Sequence, residues 1–200
     1  CLSLTDDVDE RHEVLSDIEH ETRRCVDIVR NLLAFSRTKP VGERAPRYVD
    51  AAGLVRQVVR LLDYRVRKQA IDLRVEVADD LPLVMLEPGG FQQVIINLLS
   101  NAMDAVEDRS VREIVISLEI ADDQFMMRVK DTGVGMSLDQ QRHIFDPFFT
   151  TKPTGHGTGL GLSTSWSIVS DQQGKLDCFS RQDIGTTMTV TIPQDNQEAA

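Results

Sequence analysis

Two hundred residues give room for one hydrophobic core plus an appendage, and 41% hydrophobic with 27% charged residues is the balance of an ordinary globular chain. The net charge of −10 argues against nucleic acid, and against an anionic membrane surface, as a partner. Cys1, Cys25 and Cys178 are far apart and lack metal-ligand spacing, so a reducing compartment is expected. No apolar run reaches the roughly 18 residues that span a bilayer, and a cytoplasmic location without membrane contact follows as the expectation. A chain that opens on Cys1 rather than Met is expected to be part of a longer protein, whose upstream region is free to carry an anchor.

Residues 1–38 carry helical periodicity. Leu15, Ile18, Thr22, Cys25, Val29 and Leu32 follow alternating spacings of three and four, widened by Val14, Ile28 and Phe35. Such a seam would be wet on an isolated helix and is expected to pack against a neighbouring helix or across a dimer. Lys39, Pro40, Gly42 and Pro46 then interrupt the pattern and mark residues 39–46 as a linker. A second unit is expected over 47–193, with 194–200 a loose tail. Within it Leu54, Val55, Val58, Leu61 and Leu62 predict an amphipathic helix, and Ile71 to Val77 alternates as a strand. Glu87 and Pro88 open a further helix from about Gly90 to Val106. Strands are expected over Ile114–Ile120 and Gln124–Lys130, and a short helix behind Ser137. Phe145 to Gly161, rich in Gly, Thr and Pro, reads as a lid. A helix to about Gln172, a turn at Gly174 and a closing hairpin complete the chain.

Chemistry concentrates between Asp131 and Ser163, which holds six of the twelve glycines. Alternating glycines allow positive φ and can turn N–H groups toward one point, a concavity suited to phosphate oxygens. The cluster Gly157, Gly159 and Gly161 runs into a helix whose positive end would face the same phosphates. Neither GxxxxGK[ST] nor GxGxxG occurs. In FMMRVKD, Phe125, Met127, Val129 and Asp131 share one strand face, so an acid closes an apolar row. That acid is either a turn former before Thr132–Gly133 or a buried carboxylate awaiting a donor such as an adenine amino group. On the helix from Gly90, the residues Phe91, Val94, Ile95, Leu98, Leu99 and Ala102 form the apolar face. Gln93, Asn97, Asn101 and Asp104 form a polar stripe. The stripe is either a solvated face or a set of amide oxygens for a hard cation such as Mg²⁺ beside phosphates. Thr186 points inward with Met188, Val190 and Ile192, where it is either a satisfied core hydroxyl or an adenine contact.

In this order the stretches resemble the boxes of the ATP-binding domain of sensor histidine kinases. QQVIINLLSNAMDAV resembles the N box, DTGVGM the first glycine box, IFDPFFTTK the F box, GTGLGLS the second glycine box and GTTMTVTIP the closing strand. IEHETRRCVDIVRNLLAFSR is similar to the second helix of the dimerisation and phosphotransfer hairpin. The resemblance implies an α+β fold, a two-layer sandwich of the superfamily that also holds gyrase and MutL, with a mixed sheet and helices on one face. It implies ATP and Mg²⁺ as cofactors, a homodimer formed through the N-terminal helix and a missing partner helix, and a response regulator receiver domain as partner. It places Asn97 and Asn101 at the metal, Asp104 beside them, and Asp131 on the adenine above Gly133, Gly135 and Met136. Lys152, His156, Gly157, Thr158, Gly159, Leu160, Gly161 and Leu162 fall in the lid and phosphate loop, and Thr186 supports the base. Asn97 and Lys152 are the expected catalytic groups.

The family's phosphorylated histidine sits in a motif like HELRTP, which does not occur here, and His20 in HETRR lacks the following Thr-Pro. The acceptor is therefore expected upstream of Cys1. His12 has no motif, and His143 reads as a surface position. Gln173, where the family often has a glycine, and Met188, where it often has an aromatic, depart from the pattern. ATP-hydrolysing relatives carry a glutamate at the position of Asn97, so the resemblance favours a kinase over an ATP-driven clamp of the gyrase or MutL type. A nucleotide-binding dimer module without kinase activity is the other alternative.

Overall fold

A single helix forms the hub of the fold, and its start is set by the side chain just before it. Glu87 accepts from the N–H groups of Gly89 and Gly90, and Pro88 supplies the first helical residue, for a helix that runs Pro88–Ala105. The computed structural model describes residues 45–153 and 157–194. The expected N-terminal helix, with His12, His20 and Cys25, lies outside the described residues, as do His156 and most of the tail.

In chain order the elements are β1 (Arg47–Val49), α1 (Ala51–Lys68), β2 (Asp72–Val77), β3 (Val84–Leu86) and α2 (Pro88–Ala105). Then follow β4 (Glu113–Ala121), β5 (Gln124–Asp131), α3 (Leu138–His143), α4 (Gly161–Asp171), β6 (Lys175–Arg181) and β7 (Gly185–Pro193). Five strands form one sheet in the order β2-β4-β5-β7-β6, and β1 pairs with β3 alone. β2 is parallel to β4, while the remaining pairs are antiparallel, which makes the sheet mixed.

Alternation sorts the two faces of this sheet. Ile114, Ile116 and Leu118 of β4, Phe125, Met127 and Val129 of β5, and Met188, Val190 and Ile192 of β7 are buried on the inner face. Opposite them α2 buries Phe91, Val94, Ile95, Leu98, Leu99 and Ala102, the six residues its periodicity selected. Phe91 meets Phe125 edge to face with ring centroids 5.6 Å apart, joining α2 to the middle of the sheet. Each fully buried Leu, Ile or Phe side chain here contributes about 1.5–3 kcal/mol. The outer face carries Arg74, Glu76, Glu119, Arg128 and the row Thr187, Thr189, Thr191, and no helix covers it among the described residues.

Some expectations need correction. Leu61 is 66% exposed, because α1 buries Ala51, Ala52, Val55 and Val58 and turns Leu61 outward. β1 and β3 carry no sequence signal, since three residues are too few for an alternation to register. Gln194 is not loose: its N–H bonds to the carbonyl of Asp123 at 2.9 Å, and its Oε1 accepts from Met85 N–H at 2.7 Å. No helix among the described residues is long and apolar enough to cross a membrane.

Candidate functional site

Asp131 ends β5 on the inner face, 6% exposed. Its Oδ1 accepts two backbone N–H groups, from Gly133 at 2.8 Å and from Thr186 at 3.2 Å. Its Oδ2 accepts nothing from the described residues. Burial pushes the carboxyl up to about 6, against the two N–H groups that favour the charged form. Both readings open for this acid hold together: it is a buried carboxylate, and its bond from Gly133 N–H closes an Asx turn. The same surroundings push the Cys178 thiol up to about 11, through burial and the nearby charge of Asp131.

The first glycine loop folds onto this acid rather than forming a phosphate cradle. Val134 N–H bonds to Ala105 O at 3.1 Å and Met136 N–H to Ser180 Oγ at 2.9 Å, so with Gly133 three of its donors are engaged inside the protein. A Cβ on Gly133 would lie 2.6 Å from that of Ala105. Gly135, at φ +62°, has the left-handed backbone of the turn. Positive φ at every glycine of the two clusters is thus not what the fold uses; among the described ones it occurs at Gly135 and Gly159.

The second cluster differs in its free donors. α1, α2 and α3 begin with side-chain caps from Asp50, Glu87 and Ser137, the last completing a capping box with Gln140. α4 begins without any side-chain cap, so among the described residues no side chain caps the backbone N–H groups of its first turn, the feature that suits a helix start to an anion. Upstream, Phe148 N–H bonds to Gly159 O at 2.9 Å, Thr158 Oγ1 lies 3.4 Å from Leu160 N, and Leu160 is buried.

The polar stripe on α2 links these parts. Asn97 Nδ2 donates to Gly161 O at 2.9 Å and to Ser165 Oγ at 3.0 Å, while its Oδ1 accepts from Gln93 Nε2 at 2.9 Å. The amide of Asn97 thereby holds the first turn of α4 through its Nδ2, while its Oδ1 accepts one hydrogen bond, from Gln93. One turn on, Lys152 Nζ lies 3.4 Å from Asn101 Oδ1 and pairs with Asp104, whose other oxygen pairs with Arg65 of α1. A cation already lodges between Asn101 and Asp104, and the donors are hard oxygens of the kind that Mg²⁺ selects, so this end of the stripe fits the metal. Among the described residues no cluster of three His, Cys, Asp or Glu offers an alternative metal site.

Two contributors escaped the sequence reading. Arg65 left no local signal, since it meets Asp104 only through tertiary packing. Ser180 did leave one: with Leu176 and Cys178 it forms an i, i+2 row on β6, a polar residue closing an apolar face as Asp131 does on β5. His143 is exposed and bonds to Asp146 at 2.7 Å, the surface position expected. Gln173 adopts φ +57°, the left-handed conformation a glycine would take there, and Met188 is buried in the core.

Residues 87–196 match the family described as histidine kinase-, DNA gyrase B- and HSP90-like ATPases. The chain is 34% identical over 193 residues to sensor kinase CckA of Brucella abortus (strain 2308), covering 90% of this chain and 20% of that protein. It is 28% identical over 177 residues to sporulation kinase E of Bacillus subtilis (strain 168), covering 88% of this chain and 23% of that protein. It thus spans about a fifth of the length of these relatives. Among solved structures, the catalytic domain of histidine kinase ThkA superposes with a TM-score of 0.66 at 31% identity, over 74% of this chain and 95% of that one. ThkA in complex with the response regulator protein TrrA gives a TM-score of 0.71 at 27% identity, over 88% of this chain and 49% of that one. Full-length ShkA in complex with AMPPNP gives 0.78 at 24% identity, a likeness of fold, over 92% of this chain and 39% of that one. The chain belongs to the histidine kinase-, DNA gyrase B- and HSP90-like ATPase family, and within it to the catalytic domains of two-component sensor histidine kinases.

Proposed function

We propose that this domain binds Mg·ATP and transfers its γ-phosphoryl group to an imidazole of a histidine upstream of Cys1, for relay to an aspartate of a response regulator receiver domain. The observation that carries the proposal is Asp131, a buried carboxylate with one oxygen tied by Gly133 and Thr186 and the other left for a donor. An adenine amino group supplies that donor, with Gly133, Gly135 and Met136 shaping the turn beside it. The triphosphate lies toward the uncapped start of α4, where Gly157, Thr158, Gly159, Leu160, Gly161 and Leu162 present backbone, and where Lys152 exchanges Asp104 for phosphate. Asn101 would hold the metal, with Asn97 Oδ1 as a second oxygen were Gln93 Nε2 to release it. Mg²⁺ supplies neutralisation of phosphate charge. In the transfer, the imidazole lone pair forms an N–P bond as the oxygen bridging the β and γ phosphorus atoms leaves with ADP, and the protein's part is positioning and electrostatics. A homodimer brings the acceptor helix within reach.

An ATP-hydrolysing clamp is disfavoured by Asn97, since an amide bonded to Gly161 and Ser165 is no base for water. The test mixes this chain with a protein that carries the upstream helix and follows label from γ-³²P-ATP. Acid-labile label on histidine is the expected outcome; free phosphate would favour the clamp, and neither a nucleotide-binding dimer module. Asn101→Ala should retain binding of ATP alone while losing its enhancement by Mg²⁺. If titration shows the enhancement intact, the stripe is not the metal site.

A further inference from the structure

Ser180, buried on the inner face of β6, has three hydrogen-bond neighbours around one oxygen. Met136 N–H lies at 2.9 Å, Thr186 Oγ1 at 2.9 Å and the carbonyl of Gly185 at 3.2 Å. A hydroxyl has one proton to give and two lone pairs to receive with, whereas an amide N–H only gives and a carbonyl only receives. All three contacts are satisfied by one arrangement of protons. Ser180 donates to Gly185 O, accepts from Met136 N–H, and accepts the proton of Thr186. The reverse direction between the two hydroxyls would set the Ser180 oxygen against the Gly185 carbonyl with no proton between them. Thr186 is thereby committed as a donor to Ser180, and its oxygen offers only lone pairs elsewhere.

That commitment matters because Thr186 stands directly opposite Asp131 in the pairing of β5 with β7, on the same inner face. Asp131 Oδ2 is likewise an acceptor without a donor. The geometry points to Ser180 as a positioning residue that fixes the polarity of the Thr186 hydroxyl, so that the site takes a purine with an amino group at C6 and disfavours one with an oxo group there. This rests on the reading that the base sits at Asp131. Ser180 touches no ligand in this scheme and acts through Thr186.

The test compares binding of ATP and of ITP, whose base differs from adenine in having an oxo group at C6 and a proton on N1. For the unchanged protein ATP should bind more tightly. Ser180→Ala frees the Thr186 proton to turn toward the oxo group, so the ratio of the ITP to the ATP dissociation constant should fall by about tenfold, the scale of one buried hydrogen bond. Thr186→Val gives the sign independently: losing an acceptor lowers the ratio, whereas losing a donor would raise it. In a Thr186→Val background the further change Ser180→Ala should leave the ratio unmoved. A purely structural role for Ser180 would weaken both nucleotides alike and persist in that background. ATP binding with a ratio unaffected by Ser180→Ala, or raised by Thr186→Val, overturns this inference alone. Binding of neither nucleotide by the unchanged protein overturns the ATP reading as well, and this inference with it.

Discussion

Burying the carboxyl of Asp131 costs the fold stability. Its carboxyl titrates at about 6 in the fold against 3.8 ordinarily, so between those values the folded state binds more protons than the unfolded one. Stability therefore falls as the pH rises from about 4 through 6, and the full cost, on the order of 3 kcal/mol, is present above that window. Asp131→Asn keeps an oxygen for the N–H groups of Gly133 and Thr186 but carries no charge to desolvate. Thermal melts should place the variant about 5 °C or more above the parent at pH 8, with the difference shrinking toward zero as the pH drops to 4. Calorimetry on the same variant should show ATP binding weakened by about 1.5–3 kcal/mol, because the amide offers the base a donor where an acceptor stood. In the parent, ATP affinity should decline below pH 6 as the carboxylate takes up its proton.

Glycines that look alike in the sequence do different things once the turns and helices form. Gly135 sits at φ +62°, and a Cβ there would be 2.1 Å from the carbonyl oxygen of Arg181. Gly161 opens α4, where the nearest atom to an added Cβ is Asn97 Cγ at 3.7 Å. Gly135→Ala should therefore cost about 2 kcal/mol or more, from the left-handed backbone and the clash together, whereas Gly161→Ala should leave the melting temperature unchanged or slightly raised. Thermal unfolding of the two variants checks both outcomes. Spacing alone could not separate these positions, since the difference lies in which strand end passes behind each loop. What spacing did reveal were the long periodic pieces: the apolar face of α2, the inward row of β5 closed by Asp131, and the row of β7 begun by Thr186. The pairing of Asp104 with Arg65, and the grip of Asn97 on Gly161, were beyond it, because each joins elements remote in the chain.

The order of the five strands in the large sheet, unlike their existence, is set only by the tertiary structure. Nothing local says that β7 inserts between β5 and β6, or that β2 joins β4 in parallel. The family resemblance supplied the two-layer arrangement that alternation by itself left open. Central placement of β7 also has a bearing on how the chain would behave if severed. Residues beyond 157 contribute α4, β6 and β7, and β7 is zipped to β5 from Gln124 against Pro193 to Asp131 against Thr186. A protease site engineered at 154–156 and then cut should yield two pieces that travel together on gel filtration at the mass of the intact chain and part only in denaturant. Backbone continuity across that short stretch would then be dispensable for assembly, and the domain would lend itself to reconstitution from halves carried on two separate polypeptides.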